Sequence, residues 1–106
     1  MSHILPDGSK VTLNAESSFS YHPYWWNISR ELSFEGEAYF EVEKGSRFSV
    51  ISEAGSTEVL GTSFNISTRN AGYKVFCKTG KVKVLSANTG KEVILEPNML
   101  AVLNNQ

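Results

Sequence analysis

Glu35, Glu37, Glu41 and Glu43 stand at odd positions within one short stretch, LSFEGEAYFEVE. Odd-numbered side chains of a continuous strand share a face. The carboxylates would then line one side, with Phe34, Ala38, Phe40 and Val42 on the other. Successive same-face residues of a strand sit ~6.5–7 Å apart, within the range over which inverting glycosidases separate acid from base. The chemistry this spacing invites is glycoside hydrolysis, with Glu35 or Glu37 as a working carboxylate. Carboxylates in a row along one strand nevertheless line a surface and do not face each other across a cleft. Charge on a strand face also discourages edge-to-edge pairing. The expectation is a solvated face, in which Gly36 carries a bulge that turns Glu37 inward toward Arg30 or Arg47.

The remaining reactive residues offer less. His3 and His22 are far apart, and neither lies at metal-ligand spacing from another His, a Cys or a close-set Asp. Cys77 alternates with Tyr73 and Val75 in YKVFC, the pattern of a small core residue, and no neighbour is placed to activate it as a nucleophile. The glycines occur outside any strand–GxGxxG–helix context, so no phosphate-cradling loop is expected. The Asn27-Ile-Ser29 and Asn65-Ile-Ser67 triplets match the glycosylation sequon, a pattern frequent by chance, and Asn65 falls inside a strand pattern. No catalytic residue, cofactor or metal is expected. The best recognition candidates are aromatic: Tyr21, Tyr24, Trp25 and Trp26. Exposed Trp and Tyr can stack on a sugar or anchor a protein contact. Side chains of adjacent residues on an extended segment point opposite ways, so Trp25 is expected in the core and Tyr24 and Trp26 at an interaction surface. A carbohydrate-binding module built on Tyr24, Trp25 and Trp26 is one reading of function.

Composition narrows the classes further. At 106 residues the chain is long enough for one domain, taken as residues 1–106, with a single core. The formal net charge is −1 and no block of like charges occurs, which argues against nucleic-acid binding and polybasic membrane attachment. The lone cysteine rules out an internal disulfide. The longest apolar run, Met99 to Leu103, is far short of the ~20 residues that span a bilayer. The start, MSHILPDG, has no charged segment followed by an apolar one, and Met1 to His3 reads as an appended leader.

The elements that must position these residues are strands. Turn chemistry recurs at Asp7-Gly8, Lys44-Gly45-Ser46, Ala54-Gly55-Ser56, Asn70-Ala71-Gly72, Thr79-Gly80-Lys81, Asn88-Thr89-Gly90 and Pro97-Asn98. Between lie segments rich in Val, Ile, Phe, Tyr and Thr. Strands are expected near 9–14, 17–22, 30–43 (broken at Gly36), 46–53, 56–69 (broken at Gly61), 73–79, 81–87, 91–96 and 99–104. GSKVTL, GKVKVL and GKEVIL echo one another, which is compatible both with hairpin strands and with stacked solenoid units. The expected fold class is all-β: short antiparallel strands in a twisted two-sheet, β-solenoid-like or sandwich (jelly-roll-like) arrangement without significant helix.

Taken in order, LPDGSKVTLNAESSFSY, RELSFEGEAYFEVEKG, RFSVIS, VLGTSFNIS, TGKVKVL and KEVILEPNMLAVLN resemble the periplasmic domain of FecR-type anti-sigma factors, from about Leu5 to Asn104. Trp25 falls where that family usually has a core Phe. Asn98 replaces the glycine that typically follows the proline, and Asn tolerates the left-handed conformation better than other non-Gly residues. The resemblance implies a non-catalytic relay and scaffold domain in the periplasmic part of a single-pass inner-membrane regulator. Its implied partners are the signalling domain of a TonB-dependent outer-membrane transporter and an adjacent C-terminal domain of the same protein. A sigma factor would be bound only through a cytoplasmic segment. That segment, the transmembrane helix and any C-terminal domain are expected to lie outside this chain.

Overall fold

The computed structural model describes residues 2–21, 30–45, 47–52, 55–68, 72–86 and 90–104. Among them are twelve strands and no helix. They are β1 (Ser2–Ile4), β2 (Lys10–Leu13), β3 (Ser18–Tyr21), β4 (Arg30–Glu35), β5 (Glu37–Glu41) and β6 (Phe48–Ile51). There follow β7 (Gly55–Val59), β8 (Ser63–Ser67), β9 (Gly72–Thr79), β10 (Val82–Ser86), β11 (Glu92–Leu95) and β12 (Leu100–Asn104). Each expected strand is present, its ends within two residues of the expectation. β1 is an addition. Ser2, His3 and Ile4 pair with Thr12, Val11 and Lys10.

One six-stranded sheet has the order β1-β2-β5-β8-β9-β12 and the other β3-β4-β6-β7-β10-β11. Among the described residues all strand pairings are antiparallel except β4 with β6, which is parallel. Both orders rise in step with the chain. The polypeptide therefore winds back and forth between two layers and advances steadily from one end of the sandwich to the other. Sandwich layering and solenoid-like progression thus coexist. The echoed segments do not mark the repeat of this coil: GKVKVL and GKEVIL form the β10–β11 hairpin, and GSKVTL supplies β2 in the opposite sheet.

Two of the crossings between sheets fall at glycines. Gly36 turns β4 out of one sheet into β5 of the other, at φ 111°. A Cβ there would lie 2.6 Å from the Ser17 Cα. The corner is pinned by hydroxyls: the Gly36 N–H donates to Thr68 Oγ1 (2.8 Å), and the Glu37 N–H donates to Ser17 Oγ (2.8 Å). Gly61 serves the same purpose between β7 and β8, packed so closely on Lys44 that a Cβ would be 2.9 Å from its Cα. Gly36 is thus a corner between sheets and not a bulge within one.

The core lies between the layers. Leu32, Phe34, Phe48, Val50, Val82 and Val84 come from one sheet; Phe40, Phe64, Ile66, Tyr73, Val75 and Cys77 come from the other. Phe40 stacks on its register partner Phe64 with centroids 5.1 Å apart and meets Phe34 edge-on at 5.4 Å. Full burial of each such side chain is favourable by about 1.5–3 kcal/mol. The Tyr73 hydroxyl crosses the core to Thr57 Oγ1 at 2.5 Å. Burial pushes its phenol up to about 12, despite the opposing hydrogen bond from Thr57.

The LPDGS opening acts as a clamp. Leu5 is buried, Gly8 takes φ 91°, and the Leu5 N–H donates to Ser9 O at 2.7 Å. Asp7 accepts from the buried Arg30 guanidinium at 2.6 Å and from the Ser9 N–H and hydroxyl. Arg30 also donates to the Glu43 carbonyl, and Ser9 Oγ accepts from the Glu43 N–H. Burial alone would raise the Asp7 pKa, but the hydrogen bonds from Arg30 and Ser9 and the Arg30 charge together hold it below its ordinary value. The turn between β1 and β2 is thereby locked to the start of β4 and the end of β5.

Candidate interaction surface

The carboxylate row keeps its solvent-facing parity, but the corner at Gly36 divides it between sheets. Glu35 is exposed on β4, whereas Glu37 begins β5 in the other layer. Glu37 does not meet Arg30 or Arg47. It accepts a hydrogen bond from Asn14 Nδ2 at 2.7 Å, while Arg30 is engaged with Asp7. Burial explains the correction: Arg30 lies inside the sandwich beneath the LPDGS turn, and the nearest buried anion is the one that turn supplies. Glu35 lines a groove with Ser18, Ser20, Ser33 and Ile51, and Glu37 does not. The pair of carboxylates facing each other across a cleft that glycoside hydrolysis needs is not formed by Glu35 and Glu37.

Cys77 is buried, with Sγ 3.4 Å from Gly80 O, and burial raises its pKa, which keeps it a thiol. Among the described residues no group of three or more His, Cys, Asp or Glu could hold a metal ion. Among the same residues, no helix is long and apolar enough to cross a membrane. Tyr24, Trp25, Trp26 and His22 lie outside the described residues, as does the sequon at Asn27. Asn98 adopts φ 72° and its N–H donates to Cys77 O at 2.7 Å, so the left-handed turn survives the loss of glycine.

The two ends of the sandwich differ. At the end where the chain enters, His3 of β1 meets Phe19 of β3 edge-on at 5.4 Å, and Phe19 stacks on Tyr21 at 6.1 Å. These rings cover the last layer of the core. The other end is formed by β12, the edge of one sheet, and β11, the edge of the other. Among the described residues neither strand has a partner on its outer side. Val93 shares the inward parity of Leu95, yet it is 41% exposed because no further strand closes over it. Leu100 and Val102 project outward from β12 at 57% and 50% exposure, with Phe76 opposite Leu100 on β9. Stacked β-units end soluble when their terminal unit is polar or capped. This end is apolar, and among the described residues the outer edges of β11 and β12 are unpaired, as are those of β1 and β3 at the other end. No composition signal marked it, because VILEPNMLAV resembles any interior hairpin until its place at the end of the stack is known.

The described residues thus form a two-layer β-sandwich that advances along one axis. The family description FecR protein matches residues 1–83, and the chain belongs to the FecR family. Two crystal structures of a candidate anti-sigma factor from Parabacteroides distasonis ATCC 8503 are similar over 100% of this chain. One is 32% identical and the other 33%, both with a TM-score of 0.90. The chain spans about half the length of those proteins, 51% in each case. No curated protein matches it. Family membership and these neighbours align the chain with FecR-type anti-sigma factors and support a regulatory, signal-relay role.

Proposed function

We propose that this domain is the periplasmic relay module of a membrane-spanning anti-sigma regulator that couples a TonB-dependent outer-membrane transporter to an extracytoplasmic-function sigma factor. It works without catalysis, by presenting surfaces. The sigma factor is held by a cytoplasmic segment outside this chain. The observation that carries the reading is the open apolar end at β11 and β12, together with relatives about twice as long. A following domain of the same protein packs there, and the transporter's signalling domain engages the same end or the joint it forms. Main-chain pairing at β12 supplies affinity without demanding particular side chains, and Phe76, Leu100 and Val102 supply apolar contact.

Calorimetry tests this directly. The chain is titrated with the isolated signalling domain of its transporter and, separately, with the segment that follows it in its own protein. Binding to at least one is expected, weakened tenfold or more by Leu100→Lys with Val102→Lys. Binding to neither would reject the contact role.

A further inference from the structure

The first and last strands, β1 and β12, lie at opposite edges of one sheet and are fastened by different means. Behind β1 stands the LPDGS clamp, where Leu5 is buried and Asp7 binds the buried Arg30, so fraying from that side stops at Ile4. β12 has nothing of that kind. Leu95 is the last core side chain before it, at 1% exposure. From Glu96 to Val102 only Ala101 is buried, and an alanine contributes little apolar area. What holds this segment is main chain. β12 pairs with β9 from Leu100 opposite Phe76 to Asn104 opposite Gly72. In the turn before it, the Cys77 N–H donates to Met99 O (3.0 Å), the Asn98 N–H to Cys77 O (2.7 Å) and the Met99 N–H to Glu96 O (3.0 Å). Asn98 sits at φ 72°, a conformation that asparagine tolerates and alanine resists.

Segments with few buried apolar contacts and edge-exposed main-chain bonds are the ones that open before the whole domain does. We propose that residues 96–104 are a detachable strap: β12 and its turn leave β9 together while the rest of the sandwich stays folded. The opening ends at Leu95, because that side chain is in the core. It frees the edge of β9 from Gly72 to Cys77. Among the described residues β12 is paired on one side only, so its release breaks one ladder and disturbs no second strand. Cys77 reports the event. It is fully buried, it is the only cysteine of the chain, and both its N–H and its carbonyl are bonded to the strap. This deepens the relay reading and rests on it only for purpose. In that reading a following domain continues from β12, so a partner that moves the domain acts on the strap first and leaves the clamped end in place.

Thiol labelling of the chain with dithiobis(nitrobenzoate) across a urea series tests this, with circular dichroism following global unfolding in the same series. At low urea, Cys77 is expected to label about tenfold or more faster than global unfolding allows, at a rate nearly independent of urea. Only near the unfolding transition should the rate become steep. Asn98→Ala should speed the low-urea rate about fivefold. Asp7→Asn, at the clamped end, should lower the urea midpoint and leave the low-urea rate unchanged. Amide exchange gives a readout that needs no variant. The Cys77 and Asn98 N–H groups should exchange through the urea-independent opening, whereas the Val42 N–H, bonded to Thr62 O, should exchange only with global unfolding. Labelling that is urea-steep throughout and matches global unfolding would overturn the proposal. So would a low-urea rate indifferent to Asn98→Ala, or one raised equally by Asp7→Asn. Failure here is distinct from failure of the relay contact. If Cys77 labels through the local opening while neither the following segment nor the transporter's signalling domain binds, the contact is rejected and the strap upheld. If either binds while labelling follows global unfolding, the strap is rejected and the contact stands.

Discussion

Two corners carry the chain from one sheet to the other on a glycine, and they are built to different ends. At Gly36 the backbone takes φ 111°, and every nearby polar group is used: Thr68 and Ser17 accept the Gly36 and Glu37 amides, and the Thr68 N–H donates back to Gly36 O at 2.7 Å. The corner is sealed. At Gly61 itself the contact is steric, against Lys44, and the side chains that flank it make no polar contact, with Leu60 in solvent and the Thr62 hydroxyl unmatched. Backbone bonds from Val42 to Thr62 O and from Gly45 to Leu60 O tie this second corner to the loop that Arg30 and Asp7 hold. A sealed corner serves the fold. The other leaves one buried hydroxyl unsatisfied, a cost the first corner avoids.

Substitutions should break that comparison in a definite order. Gly36→Ala should be the most damaging, destabilising by about 4 kcal/mol, since it combines a disallowed φ with overlap against backbone at Ser17; chemical denaturation would measure it. Asp7→Asn should follow at about 3 kcal/mol, because it leaves the buried Arg30 charge uncompensated. Its sign with pH is also set. A carboxyl held lower in the folded than in the unfolded chain adds stability that is complete above its ordinary value of 3.8 and is lost as pH falls through the folded value. Denaturation curves at descending pH should therefore show wild type losing stability in that acid range and Asp7→Asn losing less.

Gly61→Ala should cost about 2 kcal/mol, less than Gly36→Ala, as only overlap with Lys44 is at stake. The two threonines give the sharpest contrast. Thr68→Val should cost about 1–3 kcal/mol by orphaning the Gly36 amide. Thr62→Val should be neutral or stabilising by up to about 1 kcal/mol, because it removes a hydroxyl that nothing satisfies. Thermal melts of the pair would decide it. Equal losses at both positions would mean the second corner is sealed as well, and the distinction between the corners would be gone.

Much of this was legible in the residues, because strand existence and face parity are local. Even positions from Leu32 to Val42 face the core and odd ones face solvent straight through the Gly36 corner, as alternation required. Cys77 is buried as its pattern with Tyr73 and Val75 required, and Asn98 holds the left-handed turn. The carboxylate row faces solvent, as alternation predicts. Glu37 does not turn inward, because Gly36 carries the chain out of one sheet and not through a bulge, and a glycine in a strand pattern reads alike in both cases. The LPDGS motif was recognisable as a marker, yet its physical task was hidden, since Asp7 and Arg30 are far apart in the chain. The apolar end carries no local signal: Ile94 and Leu100 are ordinary strand residues until the neighbours they lack are known.

By itself, then, the sequence determined an all-β chain, its strands, which side of each faces inward, and its membership in a regulator family, because all of these follow from period-two patterning, turn chemistry and ordered motifs. The tertiary structure alone decided which strands share a sheet, that both sheets advance in chain order, and that aromatic rings cover one end while, among the described residues, the outer edges of β11 and β12 stay unpaired at the other. Pairing joins residues distant in sequence through main-chain groups that every residue carries. No side-chain pattern could specify those choices, and they are the ones that place β11 and β12 at the sheet edges.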